Sequence, residues 1–356
     1  MKKIVIYMSR LKHGGMEKSL LNFLNLSDIS VKYEVTLYLG YCLDNKLLDE
    51  IPGRIKVNLL CKNWNIIGKL FTACKLLFLY IKGFIFRNLY DTAICYTNHQ
   101  KIFSSLARLN SRNSILFVHS DVARYDEKQF IKMKKKIKYE HFKTIVCNSK
   151  TSAESLQRRY KQDLNIQIIA NYVDGEHIIK KSKESISENI FNDKFTFINI
   201  ANHVEEYKNI SSIIRVCNLL KNKYSFQLLL IGSGPDTDMY RTLIKQYNLE
   251  NHVLLLGTKA NPYPYLVQSQ CLIFSSKYEG YGMVLDEARV LGIPIISSDC
   301  GASKEIVNKN NGFIYYTEQE LEQAMISFLE NEKQFKQEFK YEKFNDKITK
   351  EILNIL

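Results

Sequence analysis

Residues 271–299 read CLIFSSKYEGYGMVLDEARVLGIPIISSD. An apolar run, Cys271–Phe274, gives way to a turn of small and polar residues and then to a helix-forming stretch from Met283. Gly292-Ile293-Pro294 follows, and a second apolar run, Ile295–Ser297. Strand, glycine turn, helix and strand make a parallel βαβ unit, so the chain is of the α/β class. In such sheets ligands sit beyond the carboxyl ends of the strands, where Glu279 and Gly282 fall. Glu279 and Glu287 stand eight positions apart around Gly282. Backbone N–H groups at a strand-to-helix junction favour a phosphate. Glu287, about a turn inside the helix, suits the vicinal hydroxyls of a ribose, and Glu279 those of a hexose. The segment is a candidate nucleotide-sugar site. A surface glutamate followed by an ordinary amphipathic helix would give the same spacing.

Working outward, the chain alternates strand-like and helix-like segments on both sides of a polar stretch. Ile4–Met8, Glu34–Leu39, Thr92–Tyr96, Ser114–Val118, Thr144–Cys147 and Gln167–Ile169 read as strands, with helices such as Met16–Leu26, Ile66–Phe86 and Ile131–Phe142 between some of them. Residues 176–194, dominated by Lys, Ser, Glu and Asn, read as a linker. A second series follows: Phe195–Ile200, Gln227–Ile231, Val253–Leu256, Cys271–Phe274 and Ile295–Ser297. With 356 residues, two domains are expected. Their bounds are 1–175 and 195–335, with a C-terminal helix over 336–356. Two Rossmann-like halves joined by one linker leave a cleft for a ligand.

Charge is unevenly spread. Residues 1–175 carry 29 Lys+Arg against 14 Asp+Glu, and the remainder 21 against 23, so the net +13 comes from the first half. Nucleic acid and an anionic membrane surface are the two partner classes that follow. Residues 66–86, IIGKLFTACKLLFLYIKGFIF, favour the membrane, because Lys69, Lys75 and Lys82 recur among Phe, Leu and Ile at intervals of six and seven. A buried helix with a basic solvent stripe reads equally well. No run of eighteen uncharged apolar residues occurs, which argues against a spanning helix. The first residues, Met1–Met8, read as a strand rather than a signal peptide. Eight scattered cysteines with no C-x-x-C pair suit reduced thiols and no metal site.

The block from Ser276 to Val307, with Asn311-Gly312-Phe313 after it, resembles the signature of the retaining glycosyltransferases of family 4 (the group 1 glycosyl transferases), especially bacterial capsule, exopolysaccharide and lipopolysaccharide enzymes. The resemblance implies a GT-B fold: two Rossmann-like domains facing across a cleft, with a C-terminal helix crossing back to the first. By the same resemblance Glu279 is similar to the glutamate that holds the donor sugar, Glu287 to the one that binds the ribose, and Gly282, Met283 and Val284 to the turn whose amides meet the phosphates. Lys208 looks like the lysine that neutralises the leaving diphosphate. The family has Gly-Arg where this chain has Asn202-His203. His203 either donates one hydrogen bond to the diphosphate or is a structural loop residue, and Arg10 and Lys12 are available to supplement it. Lys12-His13-Gly14-Gly15 resembles the glycine-rich loop of the first domain, where Gly14 and Gly15 border the donor. His119, closing a strand, is similar to a histidine near the transferred sugar. Tyr172 replaces the glycine of the family's N-G-V-D turn.

Asp236-Thr237-Asp238 matches a D-x-D metal–diphosphate triplet, but at a helix start Asp236 reads as a cap. The expectation is therefore a metal-independent, retaining hexosyltransferase without a cofactor, taking a UDP-sugar. Its acceptor is a hydroxyl of a lipid-linked or growing surface polysaccharide. It is expected in the cytoplasm, peripheral on the inner face of the membrane, with no nucleic-acid partner. A GT-B-fold sugar-nucleotide epimerase and a basic nucleic-acid-binding α/β protein are the alternatives. The first needs no acceptor or membrane surface, and the second leaves Glu279 and Glu287 unexplained.

Overall fold

The computed structural model describes residues 1–12, 14–61, 66–86, 88–97, 100–160, 162–330, 335 and 338–356, the side chains of 66, 67 and 69 excepted. His13 of the first glycine loop and the Lys69 side chain thus lie outside the described residues. The chain divides into two compact units, Met1–Tyr172 with Lys343–Leu356, and Val173–Glu342.

Among the described residues the first unit holds seven parallel strands: β1 (Lys3–Leu11), β2 (Glu34–Cys42), β3 (Lys56–Cys61), β4 (Thr92–Cys95), β5 (Asn113–Val118), β6 (Thr144–Cys147) and β7 (Ile166–Ile168), in the order β3-β2-β1-β4-β5-β6-β7. Strand β1 is apolar on both faces because both are covered. Ile4, Ile6 and Met8 enter one core with the Gly15–Leu26 helix. Val5 and Tyr7 enter the other with Phe103, Leu106 and Phe130. Strand β3 escapes the sequence reading. It is an edge strand, its first residues are exposed, and Lys56 and Asn58 interrupt its apolar pattern.

The second unit repeats the arrangement with six parallel strands: β8 (Phe195–Ile200), β9 (Phe226–Ile231), β10 (Val253–Gly257), β11 (Cys271–Phe274), β12 (Ile295–Ser298) and β13 (Gly312–Tyr315), in the order β10-β9-β8-β11-β12-β13. Strands β9 and β11 are buried along their length and, Gln227 apart, apolar, as both-face coverage requires. The sheet order turns back between β8 and β11, a topological switch point whose crevice lies beyond their carboxyl ends.

Two boundary expectations need correction. Residues 176–194 are not an open linker. Gly175–Ser182 is a helix that buries Ile178, and the polar residues after it are held by their own unit. Glu184 accepts from Lys181 and Asn261 at 2.7 Å each, and Glu188 accepts from the Tyr265 hydroxyl at 2.7 Å and pairs with Lys259. The segment is polar because its charges serve local ion pairs. The C-terminal helix runs Tyr341–Ile355, starting later than 336. Its Ile348 and Ile352 complete the first unit's core. Asn113 Nδ2 and the Thr92 hydroxyl donate to the last two carbonyls, of Ile355 and Leu356, at 2.9 Å each.

Candidate active site

In the second unit, the loops after β8 and β11 are stitched together at the strands' carboxyl ends. The Lys277 N–H donates to Tyr207 O at 2.7 Å, and the Ser275 hydroxyl to Lys208 O at 2.7 Å. A further bond, from the Ser298 hydroxyl to Ser276 O at 2.6 Å, ties in the end of β12. This backbone frame delivers the Lys208 ammonium onto the Glu279 carboxylate as an ion pair. Both side chains are largely buried, at 17% and 23% exposure, yet open enough to exchange partners. Two site residues that the sequence separates by 71 positions are therefore in direct contact.

Gly282 caps the helix Met283–Val290 with φ at +97°, a left-handed conformation that L side chains avoid. A Cβ there would also stand 3.0 Å from the Phe274 ring. The amides of Met283 and Val284 belong to the first helical turn, which has no intrahelical acceptors for its N–H groups. Glu287 lies one turn further on and is buried at 8% exposure. It shares this helix with a support that sequence reasoning missed. Asp286, 2% exposed, accepts from the Tyr281 hydroxyl at 2.6 Å and from Arg289 Nη1 at 2.8 Å. Burial pushes the Asp286 carboxyl up, and Arg289 opposes this. The Arg289 guanidinium in turn covers the Phe339 ring at 3.7 Å. The trio clamps the turn carrying Glu279 to the helix carrying Glu287. In the sequence, Asp286 resembled any acidic residue favoured by a helix start.

The neighbouring turn after β9, Gly232-Ser233-Gly234-Pro235, bears on two open readings. The His203 ring is 1% exposed, with Nδ1 at 2.9 Å from the Thr237 hydroxyl and its edge on the Tyr240 ring at 5.2 Å. Its amide donates to Ser233 O at 3.0 Å, and its carbonyl accepts from Asp236 N at 3.2 Å. Burial lowers its pKa, so the ring is neutral. Of the two roles open for His203, the geometry supports holding this turn. The reading of Asp236 as the cap of its own helix is corrected. No side-chain bond caps Thr237–Gln246, and the Asp236 carboxylate instead accepts from Glu205 N at 2.7 Å, at the start of the short helix that ends in Lys208. The other carboxylate of the D-x-D triplet, Asp238, pairs with Arg241.

The remaining candidates lie in the first unit, also at carboxyl ends of strands. Gly14 precedes the Gly15–Leu26 helix, beside the buried Glu17, which is 3.5 Å from Arg10 Nε. His119 follows β5, with Nδ1 at 3.1 Å from Asn148 Nδ2 and its ring 4.7 Å from that of Tyr96. Asn148 Nδ2 and the Ser19 hydroxyl both donate to Asn171 Oδ1 at 2.6 Å. Burial pushes the His119 pKa down to about 3.

A pH dependence follows. Burial lowers the values of both His119 and His203, so their contribution is complete above the ordinary histidine value of 6.5 and is lost as pH falls below it, for His119 down to about 3. The urea midpoint should therefore be clearly lower at pH 5 than at pH 7.5, and His119→Asn should shrink that difference. Equal midpoints at the two pH values would show that neither ring is buried neutral.

The comparisons with known proteins converge on this architecture. Residues 180–346 match the family model described as Glycosyl transferases group 1. An uncharacterized glycosyltransferase of Methanocaldococcus jannaschii is 32% identical over 167 residues, which is 46% of this chain and 41% of that protein. The N-acetylgalactosamine-N,N'-diacetylbacillosaminyl-diphospho-undecaprenol 4-alpha-N-acetylgalactosaminyltransferase of Campylobacter jejuni is 28% identical over 347 residues, 94% of this chain and 92% of that protein. Among solved structures, HepE of Anabaena in complex with UDP-glucose matches with a TM-score of 0.74 at 16% identity, over 99% of this chain and 100% of that one. The lipopolysaccharide outer core galactosyltransferase WaaB matches with a TM-score of 0.69 at 20% identity, over 99% and 100%. These two show a shared fold. Over residues 180–346 the chain is thus similar to the glycosyl transferases group 1 family, and it is a transferase enzyme built on the GT-B glycosyltransferase fold.

Proposed function

We propose that the protein moves a hexose from a UDP-sugar to a hydroxyl of a lipid-linked or growing surface glycan, with retention of configuration and without a metal ion or cofactor. The observation that carries this reading is the Lys208–Glu279 pair beside the glycine-capped Met283–Val290 helix. As the bond to the anomeric carbon breaks, negative charge grows on the leaving diphosphate, so a cation and amides aimed at it lower the barrier. Lys208 supplies the cation, and the first-turn amides of Met283 and Val284 supply the dipoles. Glu279 releases Lys208 to the diphosphate and accepts hydroxyls of the sugar, while Glu287 holds the ribose. Gly14, Gly15 and His119 are the first unit's donor-binding candidates by the family resemblance alone. His203 acts on the donor only through the turn it supports. Retention places the acceptor on the face of the leaving group, where a phosphate oxygen takes its proton.

Two likenesses support the choice of partners. The Campylobacter relative is named for a diphospho-undecaprenol substrate, and HepE was solved with UDP-glucose. The proposal accordingly places the enzyme in the cytoplasm at the inner membrane face, with no nucleic-acid partner. Incubating the pure protein with UDP-, GDP- and ADP-sugars tests it. UDP-sugars should raise the Tm and release UDP, unaffected by EDTA. Release from another nucleotide alone would move the base assignment, and neither release nor stabilisation from any donor would overturn the proposal.

A further inference from the structure

The helix Ile66–Ile85 carries an observation that sugar transfer does not use. Its inner stripe is Thr72, Leu76, Leu79, Tyr80 and Gly83, a helical repeat facing the first unit's core. The Thr72 hydroxyl reaches Leu60 O at 3.2 Å, and the Tyr80 hydroxyl reaches Ile102 O at 3.2 Å. The opposite side is where a solvated helix places charge. Here it is apolar: Leu70, Phe71, Leu77, Phe78, Phe84 and Ile85 are each 62–66% exposed. The expected basic solvent stripe is not what faces outward. Lys75 is turned to the end of β3, with Nζ at 3.3 Å from Leu59 O and from Leu60 O, and Lys82 flanks the apolar face. Contiguous exposed apolar surface of this kind marks a docking site.

We infer that this helix lies flat in the interface of an anionic phospholipid bilayer, with Phe71, Phe78 and Phe84 immersed among the acyl chains. Charge selects the occupant. Between Glu50 and Asp91 the sequence has no Asp or Glu, but it has Arg54, Lys56, Lys62, Lys69, Lys75, Lys82 and Arg87. An apolar face on a stretch of chain whose only charges are positive fits acyl chains beneath negative headgroups. A second copy would press the same positive surface against its own. Among the described residues no helix is long and apolar enough to cross a membrane, so the helix rests on the bilayer rather than spanning it. The inference stands apart from the donor chemistry, since it concerns only the first unit's surface.

The test uses the full chain and vesicles of phosphatidylcholine alone or mixed equally with phosphatidylglycerol. The unaltered protein should sediment with the mixed vesicles. The triple variant Phe71→Ser, Phe78→Ser, Phe84→Ser should bind them at least about 10-fold more weakly while keeping its thermal shift with UDP. A failure of the donor reading would remove that thermal shift and leave vesicle binding intact. A single variant, Phe78→Trp, covers the case in which the triple variant does not fold, and its emission should move to the blue on mixed vesicles. Three results would overturn the inference: vesicle binding undiminished in a folded triple variant, no blue shift for Phe78→Trp, or a lipid-free dimer that the triple variant converts to monomer. The last would assign the face to a second copy of the chain.

Discussion

Glu279→Ala should fold as the unaltered protein does and lose about 10²–10³-fold in kcat, a magnitude typical of removing one preorganised group at a reacting centre. Its carboxylate faces the Lys208 ammonium at 23% exposure rather than sitting in a core, so truncation costs packing little. Two consequences of opposite sign attend it. The freed ammonium is better placed to meet a diphosphate, so UDP affinity should be held or improved. The contact to the sugar is lost, so turnover falls. Loss of kcat with retained UDP affinity distinguishes a sugar-holding carboxylate from a merely structural one. Glu287→Ala should show the reverse emphasis, with weaker donor binding as well as lower activity, because its proposed contact is to the ribose. Circular dichroism and initial rates with the best donor are the measurements. Full activity in both variants would remove the case for a donor site here.

Gly232→Ala should be the most destabilising small substitution in the second unit, at about 3 kcal/mol or more. Gly232 sits at φ +139°, outside the range L residues accept, and an added Cβ would fall 1.8 Å from Ala201 O. Neither conflict can be relieved by a side-chain rotation. The obstructing atom is backbone at the end of β8, whose next residues carry His203 and lead to Lys208. The Ala201 N–H donates to Ile231 O at 3.0 Å, so pushing the two strand ends apart also breaks a ladder bond. Urea unfolding should show the lower midpoint, and donor-dependent activity should fall with it because the turn supports the Lys208 loop. A loss below about 1 kcal/mol would mean that the turn opens cheaply, and the role given to His203 would then fail.

Much of this protein was legible before any coordinates. Buried parallel strands such as β1, β8, β9 and β11 are largely apolar on both faces, so each appears as a short, mostly apolar run. Glycines at positive φ punctuate the runs, and the sheet order follows from repeated right-handed crossovers. The E-x7-E segment was visible because its glycine turn and both carboxylates lie within one βαβ unit.

What was not legible depends on partners distant in sequence or on rotation about a helix axis. That Lys208 meets Glu279, that Asp236 caps the Glu205–Lys208 helix instead of its own, and that Glu188 takes Lys259 are pairings over 71, 31 and 71 residues. No local pattern encodes them. The Ile66–Ile85 helix was equally visible as a helix, but lysines at two-turn intervals do not say which side faces the core. Thr72, Tyr80 and Gly83 packing against neighbouring elements decided that, and so turned the phenylalanines outward. Local periodicity thus determined the elements and their class, whereas only the tertiary structure decided which charges meet and which faces remain open, because these are set by contacts between segments and not within them.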